Sequence, residues 1–263
     1  MWLLFAGSSA ASLLALAGEW NWFADLFTHF RLYYLLAQGL LVVAFLNTRR
    51  YRWLVMTAVL AVPNAWYVGP YLWPLLNGSG SEIAQQSPPQ LITLNLSYRN
   101  QEVARTIDYI EGVNPEVVVL SEYTPAWHDY LEPALSAWPY RVLRPRATAF
   151  GMAIYSREPL TDVESLDLGV PDIENLRVEL ADRGIDLYAI HLLAPTSPGR
   201  ARGRNAQLDA LARELARSTR PRLVTGDLNL TPFSPYFERL LARSQLEDAR
   251  RDQGVHVTWP ALP

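Results

Sequence analysis

The sequence contains no cysteine and no lysine. Without cysteine there is no disulfide, no thiolate nucleophile and no cysteine-ligated metal, and no redox compartment is selected. Without lysine, all 23 basic side chains are arginine, a bias that reflects genome composition more than chemistry. Excess charge is also lacking: a formal net charge of −3 over 263 residues gives no bulk attraction to a polyanion. Charged residues are scarce up to about Leu76 and frequent afterwards. The change falls at "NGSGSEIAQQSPPQ" (77–90), a Gly/Ser/Gln/Pro run that reads as a linker. The expected organisation is therefore a membrane region over 1–76, a linker over 77–90 and a second domain over 91–263.

Three apolar segments fill the first part: Trp2 to Ala17, Leu32 to Leu46 and Trp53 to Leu76. A bilayer core takes roughly 20 apolar residues per helix. The third segment meets that length and carries no charge, although Pro63, Pro70 and Pro74 should kink or end it. The second reaches it if His29 and Phe30 are counted. The first is short, and "ALA" (15–17) also resembles a signal-peptide cleavage site, without the usual basic start. The expectation is three transmembrane helices embedded in a lipid bilayer. Arg49, Arg50 and Arg52 between segments two and three place that loop in the cytoplasm by the positive-inside rule. A multi-pass protein of the inner, cytoplasmic membrane follows, with its C-terminal domain extracytoplasmic and Trp66, Tyr67, Tyr71 and Trp73 in the outer interfacial belt.

From Gln90 on, short apolar runs alternate with helical patterns. Strands are expected at Leu91 to Ser97, Pro115 to Tyr123, Phe150 to Ser156, Leu176 to Leu180, Ile185 to His191 and Arg222 to Thr225. Helices are expected at Gln101 to Val113, with Asn100 as N-cap, and from about Gly203 to Arg217. "VVVL" is continuous enough to be buried on both faces. Several middle strands follow one another with no helix between, so the fold class is α/β (α+β), with two sheets face to face and helices outside.

Four of these strands carry polar residues that the apolar pattern does not explain: Asn95, Glu122, His191, and the pair Asp227 and Asn229 in "VTGDLNLTP". Ligands bind at strand ends in layered α/β domains. An amide and carboxylates from separate strands supply hard oxygen ligands for Mg²⁺, Mn²⁺ or Ca²⁺, and a histidine adds a proton donor. Each has a plainer reading. Asn95 can bond its own backbone, Glu122 can open an exposed turn, His191 can be a hydrogen-bonded strand-end residue, and Asp227 with Asn229 can form an Asx turn. Four recurrences on separate strands favour a shared site.

In this order "LNLSYRN", "PEVVVLSEYTP", "GMAIYSR", "YAIHLLAP" and "VTGDLNLTPFSP" resemble the endonuclease/exonuclease/phosphatase superfamily, also called deoxyribonuclease I-like. Preceded by membrane segments, they resemble a membrane-anchored bacterial branch of it. The resemblance implies a four-layered α/β/β/α sandwich and hydrolysis of phosphodiesters or phosphomonoesters with Mg²⁺ or Mn²⁺. It also implies Glu122 as principal metal ligand with Asn95 beside it, Asp227 orienting the attacking water, Asn229 as its partner and His191 on the phosphate. Nucleic acid, phospholipid headgroups and small phosphate esters are all admissible substrates, and no protein partner is inferable. From Ile83 onward 19 Arg stand against 23 Asp and Glu, which does not favour strong nonspecific nucleic-acid binding.

The terminal Asp-His pair of that family is absent, and "TWP" (258–260) resembles the segment before the strand that carries it. A chain ending there would lack a strand and have little activity, which leaves a membrane-anchored binding module as the alternative function. His256 reads as a loop histidine, and Arg200, Arg202 and Arg204 as a solvated run entering a helix.

Overall fold

The computed structural model describes residues 1–77, 90–100, 102–251, 253–256 and 258. The linker expected over 77–90 lies almost wholly outside them, as do Trp259 and Pro260. Among the described residues, eight helices and eight strands group into two compact units.

One unit holds all the strands, in two four-stranded sheets. In the first, β1 (Leu91–Asn95) pairs parallel with β2 (Val117–Ser121), and β2 and β3 (Tyr140–Arg144) pair antiparallel with β4 (Met152–Ser156). In the second, β5 (Leu160–Ser165), β6 (Leu176–Leu180) and β7 (Ile185–His191) run antiparallel in turn, and β8 (Arg222–Asp227) pairs parallel with β7. Parallel neighbours need a crossover. Helix α5 (Val103–Val113) supplies the first and α7 (Pro198–Leu215) the second, while α6 (Pro125–Ala134) leads from β2 to β3.

Alternation along the strands builds the layers. Val117 and Val119 of β2 and Met152 and Ile154 of β4 face Leu176, Val178, Leu187 and Ala189 of the other sheet. Val118, Leu120, Ala153 and Tyr155 point the other way, onto Ile110 of α5 and Trp127 and Leu131 of α6. Helix α7 lies beyond the second sheet, where Gln207 takes the Leu193 N–H and Ser218, just past the helix, reaches Asp186. These are the four expected layers.

Several expected bounds shift. The expected N-cap Asn100 accepts from the Glu102 N–H at 2.9 Å, but the residue flanking α5 is Glu102, whose side chain makes no cap. Helix α7 begins at Pro198 rather than near Gly203, and β8 runs on to Asp227.

The other unit gathers α1 (Trp2–Leu16), α2 (Trp22–Thr28), α3 (Arg31–Asn47) and α4 (Tyr51–Asn77) with the chain from Leu230 on, which carries α8 (Pro235–Ser244). Ser234 caps α8 and donates to Asp25 of α2 at 2.7 Å; His29 bonds Thr231 at 2.9 Å, and Phe233 packs on Val68 and Tyr71. Among the described residues no single helix is long and apolar enough to cross a membrane. Helix α1 has 15 residues. His29 and Phe30, counted above toward the second segment, sit at the break between α2 and α3, a bent pair at 60° that together meets the length and hydropathy of a span. Helix α4 has 27 residues, but Pro63, Asn64, Pro70 and Pro74 dilute its apolar run.

Candidate active site

Both parallel strand pairs stop at the same kind of edge. In β1–β2 the register pairs Asn95 with Ser121, the residue before Glu122, and in β7–β8 it pairs His191 with Asp227. The carboxyl ends of parallel strands are the usual ligand-binding edge of α/β sheets.

The side chains converge across the two sheets. Asn95 Nδ2 donates to Glu122 Oε1 and to Asp227 Oδ2, each at 2.9 Å. Its Oδ1 accepts from the Ser97 N–H at 2.9 Å, which fixes the amide orientation. The second oxygen of Glu122 accepts from the Tyr98 N–H at 2.8 Å. The second oxygen of Asp227 accepts from the Asn229 N–H at 2.8 Å, the Asx turn that its spacing allowed. Asn229 Nδ2 donates to the Leu192 carbonyl at 2.8 Å. Asp227 and Asn229 thus lie at one edge, but the Asn229 amide is turned to the β7 loop.

Backbone geometry at these exits is unusual. Ser97, Glu122 and Asn229 have φ values of 53°, 59° and 48°, left-handed conformations that residues with a Cβ adopt rarely. Such outliers persist only where surroundings over-determine them, and they cluster at active sites. Gly226 stands at φ 119°, and a Cβ there would overlap the Ile190 carbonyl oxygen. Gly151 is equally confined: a Cβ would overlap the Tyr123 carbonyl oxygen, behind Glu122.

His191 is 3% exposed. Its backbone N–H donates to Asn175 Oδ1 at 2.8 Å, its ring lies 5.6 Å from that of Phe150, and its buried Nδ1 has no hydrogen-bond partner. Burial lowers its pKa, against the opposing charges of Asp227 and Glu122 and a hydrogen bond to the Ala149 backbone. Burial thus opposes the charged form of the ring, and Nδ1 is left without a protein partner. Among the described residues no group of three or more His, Asp or Glu side chains gathers as a ready metal cage; two carboxylates and an amide meet here.

Sequence reasoning missed Arg204. It is not in a solvated loop but on α7, fully buried, where Nη1 donates to the Asn229 carbonyl at 3.2 Å. Arg202 is exposed, and Arg200 Nε donates to the Ala194 carbonyl. The helical period carried the signal, since Arg204 falls in line with Leu208, Leu211 and Leu215 on the apolar face. His256 is exposed and bonds the Gln253 carbonyl at 2.9 Å, as a loop histidine would.

A sequence model of the Endonuclease/Exonuclease/phosphatase family matches residues 92–262. Similar solved structures include D. rerio TDP2 complexed with single strand DNA product, at 16% identity over 62% of this chain and 67% of that one, with a TM-score of 0.48. A β-hairpin deletion mutant of beta toxin from Staphylococcus aureus is 16% identical over 60% of this chain and 73% of that one, TM-score 0.48. Truncated Caenorhabditis elegans TDP2 is 15% identical over 54% of this chain, TM-score 0.44; the chain spans 62% of that relative's length. No curated protein matches.

Proposed function

Because the chain belongs to the endonuclease/exonuclease/phosphatase family, we propose that it is a divalent-metal-dependent phosphoesterase, hydrolysing phosphodiester or phosphomonoester bonds. One observation carries the reading: Glu122 and Asp227, from different sheets, meet at the amide of Asn95 beside a buried His191. Phosphoryl transfer asks the protein mainly to position water and to neutralise charge.

The donor set fits Mg²⁺ or Mn²⁺. Such ions keep several waters and bind through one or two carboxylates and the substrate's phosphate oxygens. Glu122 is the proposed principal ligand. Asn95 presents nitrogen to the carboxylates in this state, so it offers oxygen to a cation only after its amide turns over. When bound, the cation supplies positive charge for the phosphate oxygens. Asp227, fixed through Oδ1, orients or deprotonates the attacking water with Oδ2. Asn229 holds that carboxylate in place, and the His191 ring hydrogen-bonds the phosphate. The substrate is a phosphate ester of nucleic acid, lipid or small-molecule type.

We also propose that α1–α4 anchor the chain in a bilayer of the inner membrane as a multi-pass region of the membrane-anchored bacterial type. Support comes from an inverted distribution. Leu3, Leu40, Val62 and Trp66 are exposed at 90%, 68%, 64% and 78%, whereas Ser12, Gln38 and Asn64 are buried and bonded to one another. Arg49, Arg50 and Arg52, at the junction of α3 and α4, then face the cytoplasm and the sandwich lies on the other side.

The test is hydrolysis of a generic phosphodiester by the purified full chain with Mg²⁺ or Mn²⁺, beside Glu122→Ala and Asp227→Ala. Loss of about 10²-fold or more in either variant is expected. Equal rates in all three proteins would remove the assigned roles.

A further inference from the structure

Two buried polar side chains of α7 bond to the backbone behind the site. Arg204 and Gln207 both have 0% exposure. Arg204 donates to the carbonyl of Asn229 and, through Nε, to Asn205 Oδ1 at 2.9 Å. Gln207 Oε1 accepts from the Leu193 N–H at 3.0 Å, two residues beyond His191. Gly203 packs on the Leu193 side chain, where a Cβ would stand 2.7 Å from Cδ1 and require that side chain to shift. Both loops that leave the second sheet at the site are therefore held by one helix.

A buried guanidinium keeps its charge and is costly unless hydrogen-bonded. A methionine or leucine would fill the same apolar face without that cost. Here one of its bonds goes to the carbonyl of a left-handed residue, a conformation the chain does not favour on its own. That residue's N–H fixes one oxygen of Asp227, and the other oxygen meets Asn95.

We propose that Arg204 is a positioning residue for this site, acting through Asn229 on Asp227, with Gln207 as its counterpart on the His191 loop. The proposal rests on the phosphoesterase reading for its kinetic consequence, but not for its structural one.

The experiment compares wild type, Arg204→Met and Arg204→Lys in the full chain, by hydrogen–deuterium exchange and by phosphodiester hydrolysis with Mg²⁺. In Arg204→Met, exchange should rise over 224–231 while β2 (117–121) stays protected. Its kcat should fall about 10- to 100-fold with KM within about twofold, since small misplacement of reacting groups costs that much. Lysine, which keeps one donor, should recover part of both effects. In an Asp227→Ala background, which removes the carboxylate that this relay holds, the Met substitution should cost markedly less of the residual rate. Unchanged exchange over 224–231 overturns the proposal, as does an equal rise over 117–121 or an unchanged kcat in an active enzyme. Local exchange that rises in a protein without hydrolytic activity supports the positioning role and removes the phosphoesterase reading instead.

Discussion

Asn95 of the first sheet and Asp227 of the second are joined by a 2.9 Å hydrogen bond from Nδ2 to Oδ2. The same nitrogen serves Glu122, so one neutral amide separates two carboxylates that would otherwise repel. The sandwich closes its site edge by sharing these protons, and the arrangement makes Asn95 the most informative position to change.

Replacing it by aspartate, Asn95→Asp, removes the donor and adds a third carboxylate. In EDTA the variant should unfold at a temperature several degrees lower, corresponding to about 2 kcal/mol. Addition of Mg²⁺ should raise its Tm more than it raises that of wild type, because a ligand that binds only the folded state stabilises it. Thermal melts with and without Mg²⁺ check this; equal shifts would separate Asn95 from the cation.

Gly226→Ala should be severe for steric reasons. The position has φ 119°, and the added methyl overlaps the carbonyl oxygen of Ile190 on the paired strand. A loss of about 3 kcal/mol or more is expected, since backbone strain and a displaced ladder act together. Denaturant unfolding measures it, and a change below about 1 kcal/mol would contradict the geometry.

The pH dependence of stability should include a contribution from Glu174. Burial alone would raise its pKa, but hydrogen bonds from Ser165 and Arg146 and the charges of Arg146 and Arg144 hold it below its ordinary value of 4.5. A carboxylate depressed in the folded state contributes stability that is fully present above about pH 4.5 and lost as pH falls through the lower folded value. Glu174→Gln should therefore lose about 1–2 kcal/mol at pH 7, a figure kept low because Arg146 is partly solvent-screened. The gap from wild type should narrow in melts below pH 4.5. A gap that widens in acid would reverse the sign.

The legible parts of the fold were those whose local chemistry has one meaning. The run "VVVL" has no exposed face and had to be an interior strand, and Gly226 before Asp227 and Asn229 marked a strand exit that needs a glycine. Strands β3 and β5 were not legible. "YRVLR" and "LTDVES" are edge strands whose outward residues are charged or polar, so neither alternation nor an apolar run announces them. Arg204 was read by its charge rather than by its helical phase. The packing of α8 beside the N-terminal helices depends on Ser234 and Asp25, 209 residues apart, a distance over which local pattern carries no information. The left-handed Glu122 was equally hidden, because the strain is imposed by contacts and not by its own preference.

The inverted helical unit gives a prediction with opposite outcomes for its two possible surroundings. Leu40, mid-way along α3, and Val62, within α4, are 68% and 64% exposed. Asn64, between helices, is buried and bonds Ser12, Gln38 and Arg31. If lipid covers the outer face, Leu40→Arg and Val62→Arg should each cost about 3 kcal/mol of insertion and move the chain out of the membrane fraction. Asn64→Leu should lower stability in detergent by about 1–2 kcal/mol, because it strands the partners of a buried amide. If water covers that face, the two arginines should change stability by less than about 0.5 kcal/mol and improve solubility. Fractionation of cells expressing the three variants, followed by detergent melts, decides between them. Wild type and Leu40→Arg both in the soluble fraction, with the same Tm, would end the membrane reading of α1–α4.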